Sequence, residues 1–161
     1  MMTFHDLYEQ YAPDVYRFAF WLSGSAADAD DITAETFVRA WAGSQKIRTE
    51  TVKAYLFTIA RNLYLKQAAR ARREVALEET MVAPLPEPDG QLAIREALTA
   101  VFHQLHQLSE TDRTAFILRI QYELPYAEIA RILAISEAAA KVKVHRARLK
   151  LTAVRRDYEE A

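Results

Sequence analysis

PYAEIARILAISEAAAKVKVHRARLKL, Pro125 to Leu151, is the stretch whose reading decides the fold. Proline is tolerated in the first turn of a helix, where its missing N–H would lack an intrahelical partner anyway. Tyr126 to Leu133 therefore reads as a short helix. Ser136 is a good N-cap for a second one, since its hydroxyl can accept from a free backbone amide. On that second helix Ala140, Val144, Ala147 and Leu151 step by four, three and four, which makes one buried stripe. Lys141, Lys143, Arg146 and Lys150 fall elsewhere on the circumference, facing solvent or DNA. Two helices joined by a tight turn, the second one basic, are the sequence form of a helix-turn-helix, whose second helix enters the DNA major groove. A basic C-terminal helix taken alone reads equally well as a solvated face. The turn and scaffold helix before it favour nucleic acid.

Outward from this stretch the chain keeps the same helical grammar. Ile94, Leu98, Val101, Phe102, Leu105 and Leu108 form an apolar stripe, and Ser109 with Asp112 resembles a capping box with Asp in the acid's place. The next helix carries Ala115, Leu118 and Tyr122 and ends before Pro125. At the other end Leu7, Tyr11, Val15, Phe18 and Leu22 lie on one helical face, with Gly24 as a stop. Ser25 or Asp28 caps a second helix that sends Ile32, Phe37, Ala40 and Trp41 towards a core. Residues 43 to 50 are a polar break. A third helix carries Leu56, Ile59, Ala60 and Leu63 and runs into a cluster of arginines. Between the halves lies VAPLPEPDG, residues 82 to 90, where alternating prolines favour extended backbone and remove amide donors. No strand-like alternation is visible. The expected fold is all-α, with two small helical domains at 1–73 and 92–161 joined by a Pro- and acid-rich linker at 74–91.

The chain has 161 residues, enough for one ordinary domain or two small ones. Hydrophobic residues make up 51% and charged residues 27%, a globular profile. The formal net charge is −1, so overall basicity does not advertise nucleic acid. Distribution does. Lys141, Lys143, Arg146, Arg148 and Lys150 follow one another without an acid, as do Arg61, Lys66, Arg70, Arg72 and Arg73. From Glu74 to Glu110 seven acids face Arg95 alone. Two basic patches around an acidic segment suit two separate DNA contacts. With no cysteine, disulfides, thiolate zinc sites and a Cys nucleophile are excluded. The N-terminus does not read as a signal peptide, and no apolar run approaches the ~20 residues needed to span a bilayer. The expected location is cytoplasmic, without membrane insertion.

Candidate chemical sites are sparse. Asp28, Asp30, Asp31 and Glu35 lack the glycine and spacing of a calcium loop, and fit a helix N-terminus dressed with acids or an acidic docking face. His103 and His106 have no third ligand and no HExxH context, so neither a metal nor a cofactor is expected. Nucleophile elbows and phosphate-cradling glycine loops are absent. An enzyme reading has almost nothing to stand on. Tyr55, Phe57 and Tyr64 fit two roles equally. They have helical core spacing, and beside Arg61 and Asn62 they also suit stacking on unpaired bases.

Three stretches taken together strongly resemble bacterial sigma factors of the extracytoplasmic-function group, in the sigma-70 family: DADDITAETFVRAW (28 to 41), AYLFTIARNLYL (54 to 65) and LSETDRTAFILRIQYELPYAEIARILAISEAAAKVKVHRARLKL (108 to 151). They cover nearly the whole chain in the family's order. The resemblance implies a region 2-like first domain that docks on the clamp helices of the RNA polymerase core through Asp30, Asp31, Glu35, Phe37 and Arg39. It implies that Lys46, Arg48, Lys53, Tyr55, Arg61 and Asn62 read and help melt the −10 promoter element. A region 4-like domain would bind the polymerase flap and place Ala138, Ala139, Lys141, Lys143, His145 and Arg146 on the −35 element. The linker would run towards the RNA exit path, and an anti-sigma factor is implied as a further partner. Bond-making would belong to the polymerase, so the chain is expected not to be an enzyme. The family usually has Gln where Ala34 stands and Gly where Ala134 stands, and its recognition helix rarely starts EAAAKVKV. A Cβ at a left-handed turn position costs about 1 kcal/mol or more. The alternatives are a stand-alone helix-turn-helix regulator, or a protein-interaction module that never reaches DNA.

Overall fold

A computed structural model describes residues 3–43, 52–75 and 92–160. Among them the regular structure is helical: α1 (Phe4–Ser23), α2 (Ala26–Ala42), α3 (Val52–Val75), α4 (Leu92–Gln107), α5 (Glu110–Ile120), α6 (Tyr126–Leu133) and α7 (Glu137–Glu160). The chain divides into two compact units, Met1–Leu85 and Pro86–Ala161. The proline-rich stretch expected as a linker lies outside the described residues, save that Glu74 and Val75 continue α3.

In the first unit α1, α2 and α3 pack on one another. Thr3 starts α1 with a complete capping box: its Oγ1 accepts from the Asp6 amide, and Asp6 Oδ2 accepts from the Thr3 amide, both at 3.1 Å. The bond from the Thr3 backbone amide first, and the Thr3 side chain after it, hold the Asp6 carboxyl below its ordinary value. The helix runs through Pro13. It ends at Gly24, whose φ of 71° is the left-handed cap that glycine adopts without strain. Ser25, not Asp28, caps α2, accepting from the Asp28 amide at 3.2 Å. Leu7, Val15, Phe18 and Leu22 meet Ile32, Phe37, Leu56 and Phe57 in the core, and the Phe18 and Phe57 rings lie 4.7 Å apart.

Two expectations change here. Phe57 is core while Ile59 is only half-buried, so α3 turns a slightly different face inward. Trp41 is 44% exposed rather than buried; its ring packs edge-on against Phe4 at 5.6 Å, over the start of α1.

In the second unit α7 packs against α4, α5 and α6. Leu105 and Leu108 are buried, but Val101 is exposed. Neighbours on a helix point about 100° apart, so Val101 and Phe102 cannot share one narrow stripe, and Phe102 takes the inner place, stacked on His106. The side chains of Ile94 and Leu98 lie outside the described residues. α5 ends at Ile120, so Tyr122 sits in the turn rather than on the helix. That turn contains Glu123 at φ 53° and is tied by Arg119 Nη1 donating to the Leu124 carbonyl at 3.0 Å. α6 presents Ile129, Ile132 and Leu133 to the core, and α7 adds Ala140, Val144 and Ala147. Leu151, expected on the same stripe, is only half-buried.

Candidate nucleic-acid interface

The helix-turn-helix is built by α6, a sharp turn and α7. Pro125 is the residue that precedes α6, with its carbonyl accepting from Ile129 at 3.1 Å. Ala134 closes α6 in the left-handed conformation, φ 55° and ψ 46°. The Ile135 amide then bonds back to the Ala130 carbonyl at 3.0 Å, so the turn is tight although no glycine is present. Ser136 caps α7, accepting from the Ala139 amide at 3.0 Å.

With the buried stripe of α7 as origin and about 100° per residue, its remaining side chains sort into three groups. Ala138, Val142, His145 and Leu149 lie on the opposite face, and all four are exposed. Lys141 and Arg148 flank this face on one side. Arg146 and Lys150 flank it on the other, with Lys143 further round on that side, towards the core. The exposure of Val142, 53%, puts an apolar group at the centre of the outward face. The basic pattern drew attention away from it, although its four-residue step from Ala138 marked the position. Ala139 is half-buried.

Lys141, Lys143 and Arg146 have protein neighbours. Lys141 Nζ lies 5.7 Å from the centre of the Tyr126 ring, and the Arg119 guanidinium sits over the same ring at 4.4 Å. Lys143 Nζ donates to Thr111 Oγ1 at 3.2 Å and lies 3.6 Å from Asp112 Oδ1. Arg146 Nη1 is 3.6 Å from Asp112 Oδ2. Asp112 itself is buried.

The first unit offers a second candidate surface. Asp30, Asp31, Ala34, Glu35, Val38 and Arg39 form the exposed side of α2, while Phe37 is fully buried beside Tyr8, with ring centres 5.1 Å apart. Glu35 accepts from Arg39 Nε at 3.0 Å, one helical turn away. A groove of about 430 Å³ runs between α1 and α2, lined among others by Tyr8, Tyr16, Asp30 and Ala34.

The residues of α3 are divided. Lys53 Nζ lies 3.5 Å from Asp14 Oδ2, which ties the start of α3 to α1. Tyr55 is half-buried, and a Cβ at Gly43 would come within 2.7 Å of its hydroxyl oxygen, so glycine makes room for it. Arg61 is buried and Asn62 exposed. Lys46 and Arg48 lie outside the described residues.

Among the described residues no helix is long and apolar enough to cross a membrane, and no group of three or more His, Asp or Glu side chains is arranged to hold a metal.

The family pattern described as Sigma-70 region 2 matches residues 7–74, and that described as Sigma-70, region 4 matches residues 98–151. The ECF RNA polymerase sigma factor SigM of Bacillus subtilis is 32% identical over 158 residues, covering 95% of each chain. SigL of Mycobacterium tuberculosis, also an ECF sigma factor, is 34% identical over 144 residues, 86% of this chain and 81% of the relative. Among solved structures, the sigma factor RpoE in complex with the anti-sigma factor NepR, from Bartonella quintana, superposes with a TM-score of 0.78 at 28% identity. That match covers 92% of this chain and 94% of the other.

Proposed function

The chain belongs to the extracytoplasmic-function RNA polymerase sigma factors of the sigma-70 family, and from that premise we propose that it directs core polymerase to promoters with −10 and −35 elements and helps to open the duplex. The observation that carries this reading is the presence, in one chain and in the family's order, of a region 2-like unit with an acidic, exposed α2 face and a region 4-like unit with an outward basic helix.

In this reading the sides of α2 bearing Asp30, Asp31, Glu35 and Arg39 meet the clamp helices of the polymerase, with Phe37 supporting that face from below. The start of α3, with Lys53, Tyr55 and Asn62, and the preceding segment with Lys46 and Arg48, face the −10 element. Arg61, expected on the −10 element, is buried on α3. Unstacking a base step costs a few kcal/mol, which a binding pocket and neutralised strand phosphates offset. The second unit binds the flap and lays α7 into the major groove at −35. Lys141 and Arg146 at the edges of the outward face suit phosphates or guanine edges, while Ala138, Ala139 and Val142 suit thymine methyls and His145 lies between them. Domain limits near 1–73 and 92–161, with a linker at 74–91, go with this division. None of these steps makes or breaks a bond, so chemistry stays with the polymerase. An anti-sigma protein is a further partner, of the kind bound to the Bartonella relative.

Run-off transcription with purified chain, core polymerase and genomic fragments tests the proposal. Discrete start sites that depend on the chain are expected, and charge reversal at Asp31 and Glu35 is expected to weaken core binding. Absence of any chain-dependent start site refutes the proposal.

A further inference from the structure

Among the described residues Asp112 is the one acidic side chain that is buried, 2% exposed. A buried carboxylate is unfavourable unless opposite charge or hydrogen bonds compensate it. Its backbone amide is already engaged with Ser109 Oγ at 3.2 Å. Its two oxygens each face a different cation of α7, Lys143 and Arg146, both at 3.6 Å. Those cations differ in exposure: the Lys143 side chain is 21% exposed and the Arg146 side chain 53%. Their places on the helix differ as well. Lys143 lies about 70° round from the buried stripe and Arg146 about 130°. Thr111 Oγ1 accepts a hydrogen bond from Lys143 at 3.2 Å.

We propose that Asp112 is a positioning residue for DNA recognition: it keeps Lys143 turned in towards α5, out of reach of phosphate, and fixes the direction of Arg146 at the edge of the outward face. The inference rests on α7 being the helix that meets the −35 element. Affinity for any DNA grows with the number of phosphates neutralised, whereas discrimination comes from base edges. An acid that withdraws one lysine and aims one arginine therefore lowers indiscriminate binding and favours the outward face of Ala138, Val142 and His145. Sequence reading placed Lys143 among the DNA contacts; its position beside Asp112 assigns it to the scaffold of the helix instead.

The test is binding of reconstituted holoenzyme to a promoter fragment mapped by run-off transcription, and to the same fragment with the −35 element scrambled, over a series of salt concentrations. Asp112→Asn retains the volume of the side chain and removes its charge. It is expected to steepen the slope of log K against log [salt] by about one, as Lys143 gains a phosphate. It is also expected to reduce the preference for the intact −35 element by about fivefold or more, the equivalent of one poorly read base pair. Lys143→Gln alone is expected to leave the slope unchanged, and added to Asp112→Asn it is expected to restore the wild-type slope. A wild-type holoenzyme that prefers the intact element, with Asp112→Asn showing the wild-type slope and preference, overturns the inference alone. So does a slope that falls by about one in Lys143→Gln, and this second variant decides the matter if Asp112→Asn does not fold. A wild-type holoenzyme indifferent to the −35 sequence overturns the reading of α7 and the inference with it.

Discussion

The starts of α1, α2 and α5 share one local pattern, and the first and last of them use it differently. Thr3-Phe4-His5-Asp6 opens α1 and Ser109-Glu110-Thr111-Asp112 opens α5. In both, the N-cap hydroxyl accepts the amide of the aspartate three residues on, at 3.1 Å and 3.2 Å. At α1 the Asp6 carboxylate returns to the Thr3 amide and closes the box at the surface. At α5 the carboxylate is buried and faces Lys143 and Arg146, some thirty residues later in the chain. The cap follows from four residues of sequence. What the aspartate does next depends on whether another element covers the helix start, as α7 covers that of α5.

The contrast can be broken by substitution. The largest effect is expected from Asp112→Ala, which leaves a half-buried lysine without its counterion. It should lower the stability of the C-terminal unit by about 1–3 kcal/mol, read as faster hydrogen exchange at α5 and α7 amides. Exchange confined to the first turn of α5 would mean that the carboxylate acts only as a local cap. Removing the hydroxyls instead, with Thr3→Ala and Ser109→Ala, should cost about 1 kcal/mol each in urea unfolding, because both caps make the same bond. Unequal losses would show that tertiary cover also changes the value of the cap.

Ala134→Gly sharpens the comparison at a helix end. It relieves about 1–2 kcal/mol of left-handed strain and returns about 0.4–1 kcal/mol of unfolded-state entropy, so a net gain of about 0.5 kcal/mol is expected in thermal unfolding. A loss would mean that the Ala134 methyl has a packing role. The smallest effect belongs to Asp6. Its folded-state carboxyl titrates below the ordinary 3.8, so its contribution is complete above that value and is lost as pH falls through the lowered one. Asp6→Asn should therefore lower the stability of α1 slightly at neutral pH, where the contribution is complete, and leave it little changed at the acid end, so that the acid limb flattens; an unaltered acid limb would show that the box closes without help from the charge.

Much of the fold was legible from spacing. The three- and four-residue steps of Leu7 to Leu22 and of Ala140 to Ala147 mark real helical faces, and Gly24, Ser25 and Ser136 stand where helices stop and start. The helix-turn-helix needed no more than Pro125, Ser136 and the stripe that follows Ser136. Residues at the edge of a face were not legible, because a side chain 70° from the stripe is inward or outward according to its neighbours. Lys143 turned inward because Asp112 and Thr111 lie opposite it. Trp41 stayed at the surface because Phe4 gave it a partner there. Phe57, left between core and DNA, went to the core beside Phe18. Val142, an apolar residue between two lysines, is exposed because it lies opposite the buried stripe.

The central claim is that DNA recognition by this chain is exercised on behalf of RNA polymerase. Binding of a labelled promoter fragment to the chain, measured with and without core enzyme, tests it most directly. Weak, salt-sensitive binding by the chain alone and tight, sequence-dependent binding once core is added are expected. Tight binding by the chain alone, unaltered by core, would contradict it.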